Sequence, residues 1–137
     1  MKLSVSEILK KVSAAESDEQ RVHLLHQHSN PALISVIKGV FDPNIVWLLP
    51  EGDPPYKVND IPGQHHVLYS ECRKFYLFIE GGHPTLKQTR REQLFIELLE
   101  SLDPEDSKLL LSVKDKMMPY PNIDIKLIHK AFPGMIT

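Results

Sequence analysis

The chain reads as an all-α protein: about seven short helices in an orthogonal bundle, with a proline-rich loop crossing at about 42–64. Two observations carry that expectation. Helix-start signatures recur along the sequence, each followed by apolar residues at helical spacing. The prolines and glycines that forbid a helix are densest in one internal segment, from Pro43 to Gly63.

Ser4 and Glu7 make a capping box for a first helix with apolar positions Val5, Ile8, Leu9 and Val12. Ser17 and Gln20 repeat it for a second helix through Val22, Leu24, Leu25 and His28. Asn30-Pro31 places a cap before proline at the first helical position, opening a helix with Leu33, Ile34, Ile37, Val40 and Phe41. From Asp42 to Gly63 the residues Pro43, Pro50, Pro54, Pro55 and Pro62 exclude a continuous helix. Ile45 to Leu49 is the one plausible extended piece, and Trp47 is expected to plug the core there. Val67, Leu68, Cys72, Phe75, Tyr76 and Ile79 predict a long helix closed by Gly81-Gly82. Thr85 with Gln88 predicts a capping box leading a helix through Leu94, Phe95, Leu98, Leu99 and Leu102. Asp103-Pro104-Glu105 opens the next, with Leu109, Leu110 and Val113. Asn122 is read as the cap of a last short helix that stops at Pro133-Gly134.

The 137 residues fit one domain, 1–137, able to bury a core without disulfides or metal. Cys72 is the only cysteine, so no internal disulfide forms and a reducing, cytoplasmic setting is expected. Its place in an apolar helix predicts a packed thiol rather than a nucleophile. No apolar stretch approaches the roughly 18 residues of a membrane span. Met1 to Val12 reads as an amphipathic helix and not as a signal peptide. The net charge of −2 argues against strong non-specific duplex binding, which depends on neutralised phosphates.

No enzyme chemistry is legible. His23 and His26 lie three apart and His65 and His66 are adjacent, yet zinc-ligand signatures such as paired CxxC or HExxH are missing, so no metal is expected. No GxSxG elbow or GxxxxGK[ST] loop is present, and Gly81-Gly82-His83-Pro84 reads as a helix stop and turn. No cofactor is expected either. Basic residues do cluster: Lys10-Lys11, Arg73-Lys74, then Lys87, Arg90 and Arg91, then Lys114, Lys116, Lys126 and Lys130. On a helix, Lys87, Arg90 and Arg91 would form one positive ridge. A merely solvated charged face is the competing reading.

The order basic helix end, loop, capped helix and Phe132-Pro133-Gly134 resembles the close of the N-terminal DNA-binding domain of ATP-dependent DNA ligases from T4-type phages. The resemblance runs through nearly the whole chain. It includes Ile8-Leu9-Lys10-Lys11-Val12, Leu33-Ile34-Ser35-Val36-Ile37, Phe41-Asp42-Pro43, Leu94-Phe95-Ile96-Glu97-Leu98-Leu99 and Lys108-Leu109-Leu110-Leu111-Ser112-Val113. The chain is also similar to small uncharacterised proteins of T4-like phages of marine cyanobacteria. The ligase pattern Arg-Asp-Leu-x-x-Gly has its counterpart in Lys114-Asp115-Lys116-Met117-Met118-Pro119, with proline in place of glycine. The nearest text to the ligase Lys-x-Asp-Gly nucleophile motif is Lys57-Val58-Asn59-Asp60, where Asp and Gly are out of place.

The resemblance implies a stand-alone, non-catalytic phage accessory protein of the host cytoplasm. It would bind duplex DNA backbone during replication, repair or recombination. Its contacts would be Lys87, Arg90, Arg91, Lys114, Lys116, Lys126 and Lys130. The alternative is a protein-protein adaptor or inhibitor of a host or phage protein that uses the same helical scaffold. The acidic loop Pro50–Pro55 and the segment Met117-Met118-Pro119-Tyr120-Pro121 motivate it.

Overall fold

The computed structural model describes residues 3–136. The described residues form an all-α fold: α1 (Val5–Ala14), α2 (Asp18–Gln27), α3 (Pro31–Phe41), α4 (Val67–Glu71), a 3₁₀ helix (Cys72–Phe78), α5 (Gln88–Ser101), α6 (Pro104–Lys114) and α7 (Ile125–Ala131). Four of the expected caps close hydrogen bonds. Ser4 Oγ accepts from Glu7 N–H while Glu7 Oε1 accepts from Ser4 N–H, completing the box. Ser17, Asn30 and Asp103 each accept from a first-turn amide. The second box is only half made, because Gln20 Oε1 accepts from Glu16 N–H and not from Ser17.

α6 is the central strut. It packs on α1, α3 and α5, while α2 bridges α1 to α7 and α3 covers α4 and the 3₁₀ helix. Leu109, Leu110 and Leu111 are all buried, as a helix clad on several sides requires. One hydrophobic cluster draws residues from every one of these helices.

Three expected element boundaries are corrected. The long helix from about 65 to 79 is instead a short α-helix running into the 3₁₀ segment. Three residues per turn put Cys72, Phe75 and Phe78 on one inward face, and they are all buried. α-Helical spacing would have buried Tyr76, which is 49% exposed. Thr85 does not cap α5. It sits in a turn, and the helix begins at Gln88 with Lys87 at the cap position and no side-chain cap bond. Asn122 does not cap α7 either. Asp124 does, accepting from Leu127 N–H at 2.9 Å. Asn122 is instead a left-handed turn residue, φ 70°, whose Nδ2 donates to Ser13 O. Asn tolerates that conformation better than most side chains.

The proline-rich segment crosses the molecule without helix. Trp47 is held as expected: its Nε1–H donates to Gly39 O and its ring stands edge-on to Phe75. An isolated bridge joins Trp47 to Ile79, through Leu48 N–H to Phe78 O and Glu80 N–H to Val46 O. Beyond it the arm runs along α5. Gln88 Nε2 donates to Leu48 O near one end of that helix, and Glu100 Oε2 and Ser101 O accept from Lys57 N–H and Asn59 Nδ2 at the other. Gly82 cannot be exchanged, since a Cβ there would lie 1.9 Å from Tyr76 O.

Candidate functional site

The seven expected contact residues fall into separate environments. Arg91 is buried on the core stripe of α5 with Phe95, Leu98 and Leu99. Its guanidinium donates to Leu77 O at 2.8 Å, Gln88 Oε1 at 2.6 Å and His83 O at 3.2 Å, tying the 3₁₀ helix and the following turn to α5. Lys114 is also buried, with Nζ 3.0 Å from Pro50 O and 2.8 Å from Asp115 Oδ1. Both cations fasten the interior, so they leave the candidate phosphate surface. Sequence did carry a warning for Arg91. Arg91 is four residues before Phe95 and seven before Leu98, a core register. Lys114 carried no such signal, because α6 mixes Leu109, Leu110, Leu111 and Val113 with Glu105, Asp106 and Lys108.

Lys116 stands apart. It is the left-handed residue that ends α6, φ 61°. Lys116 N–H donates to Val113 O and Met117 N–H to Ser112 O, the paired bonds of a Schellman stop where glycine is usual. Its ammonium reaches Gly39 O at 3.0 Å and Asp42 O at 2.7 Å, closing the carbonyl end of α3. Desolvation lowers its pKa, and nearby Asp42 opposes that shift.

The other four cations are exposed. Lys87 and Arg90 flank the start of α5, whose first turn holds no acidic residue. Arg90 leans toward Glu97 at 3.4 Å, a pair open to solvent on both sides. Lys126 and Lys130 lie four apart on α7, outside its buried positions Leu127, Ile128 and Ala131. Lys130 is 3.5 Å from Asp18 of α2. Exposed pairs of this kind contribute at most about 1 kcal/mol and can be exchanged for phosphate.

The other ionisable groups are scattered. His26 Nε2 lies 2.5 Å from Ala131 O and His65 faces Glu7. No three metal-ligating side chains converge among the described residues. Burial raises the Cys72 thiol pKa and its Sγ donates to Tyr69 O, a packed group as expected. Asp106, at the buried junction of α1 and α6, accepts from Ser6 N–H through Oδ1 at 3.0 Å, while Oδ2 has no hydrogen-bond partner. Desolvation, the largest cause, raises its pKa to about 6 against the lowering effect of Ser6. No helix among the described residues is long and apolar enough to cross a membrane.

What emerges is a small helical-bundle protein with an extended proline arm and cations on two outer helices. Residues 8–119, most of the chain, match the model of a family of unknown function, DUF6433, and the chain belongs to that family. No curated protein and no solved structure matches it.

Proposed function

We propose that this protein is a non-catalytic phage accessory domain that holds duplex DNA by its phosphate backbone during replication, repair or recombination. The observation that carries the reading is the start of α5. That helix opens without a side-chain cap, without an acidic first turn, and between the exposed cations Lys87 and Arg90. Unfilled amide N–H groups and the positive end of the helix dipole suit a phosphate oxygen. Lys126 and Lys130 on α7 offer a second contact, and Lys116 adds charge at the end of α6. Arg91 and Lys114 hold the scaffold in shape behind this surface. Contacts of this kind position a duplex without reading its sequence.

A labelled duplex titrated at low salt tests the reading by fluorescence anisotropy. Binding is expected, weakened at least about tenfold by the double substitution Lys87→Glu/Arg90→Glu, which touches no buried group. No binding at roughly tens of micromolar protein, or binding indifferent to the double substitution, would overturn it.

A further inference from the structure

A pocket of about 250 Å³ opens between the proline arm and α5. Phe95 and Ile96 of α5 form its floor with Leu49, while Pro50, Pro54 and Pro55 form a stiff wall. Its rim is anionic: Glu51 and Asp53 are exposed on the arm and Glu92 faces them from α5. The single cation in the lining is Lys114, whose side chain is only 2% exposed and whose charge meets Asp115. No cation on the rim offsets the three carboxylates, of which Glu92 accepts from Gln88 Nε2 at 3.0 Å.

We infer that this pocket is a docking site for a basic peptide segment of another protein, which inserts one apolar side chain between Phe95 and the prolines and sets flanking Lys or Arg residues against Glu51, Asp53 and Glu92. The apolar floor supplies the anchor and the charged rim selects the partner's sign, the usual division between affinity and specificity. The wall needs little ordering on binding, because Lys114 already fixes Pro50 O and Asp115 Oδ2 accepts from Gly52 N–H at 3.3 Å. The same carboxylates repel phosphate, so this site takes a cationic partner where the DNA reading above needs an anionic one.

A library of short random peptides, selected on the intact protein, tests the site. Enriched sequences are expected to combine Lys or Arg with a large apolar residue. Binding of a synthesised member should shift the amide resonances of Gly52 and Ile96. It should fall at least about tenfold in Glu51→Lys/Asp53→Lys, whose fold is checked by circular dichroism. Failure to enrich, enrichment without basic or without apolar residues, resonance shifts confined to another face, or undiminished binding to the charge-reversed variant would each overturn the inference. Duplex binding by that variant is expected to be at least as strong as before, so failure here and failure of the DNA reading are distinguishable.

Discussion

Asp106 shows how one buried carboxylate can set the pH response of a whole junction. Its folded pKa of about 6 lies above its ordinary value of 3.8. A raised carboxylate pKa means stability that is complete below about pH 4 and lost as pH rises through 6. Two units correspond to roughly 3 kcal/mol. Asp106→Asn removes this dependence. Urea unfolding at pH 4 and pH 7 should therefore shift the balance toward the Asn variant by up to about 3 kcal/mol at the higher pH. An unchanged difference would contradict the burial of an ionised Asp106. Glu7, Asp18 and Glu105 have lowered pKa values and act in the opposite direction in both proteins. Lys116 makes a second point at this scale. Its backbone wants glycine, whereas its ammonium closes α3. Lys116→Gly is expected to be more stable than Lys116→Ala by about 1 kcal/mol, since both lose the carbonyl bonds and only alanine keeps the left-handed strain. Equal thermal melts would argue against that geometry.

The elements show which signals in the sequence were strong and which were ambiguous. Ser4–Glu7, Asn30-Pro31 and Asp103-Pro104 are local chemistry, in which a side chain finishes its bonds within one turn, and the helices begin where those residues place them. The stretch after Gln64 was ambiguous because Cys72, Phe75, Tyr76, Phe78 and Ile79 satisfy both a 3.6 and a 3.0 period. Tertiary packing chose the tighter one: Phe78 meets Phe95 edge-on and Ile79 pairs with Trp47. Phe78→Ala should therefore cost about 3–5 kcal/mol and Tyr76→Ala under about 1 kcal/mol by chemical denaturation. An α-helical segment would narrow or reverse that difference. The candidate site was legible only in part. Lys87 and Arg90 face solvent as their spacing suggested, but Arg91 is one position too far round α5 and enters the core. Lys114 was hidden because the burial of α6 depends on α1, α3 and α5 closing around it, which no local pattern records.

At the scale of the molecule, the bundle separates two kinds of surface. Cations occupy the start of α5 and the outer face of α7, whereas the arm presents carboxylates around an apolar pocket. A net charge of −2 is compatible with DNA binding only through such segregation. On the proposed function, a few exposed cations, and not the buried Arg91 and Lys114, hold the duplex backbone. The salt dependence of duplex affinity tests it most directly. Lys87, Arg90, Lys116, Lys126 and Lys130 together allow a log–log slope no steeper than about −4.5, and Lys87→Ala/Arg90→Ala should flatten it by about 2. A slope near zero, or one that the double substitution leaves unchanged, would overturn the proposed function.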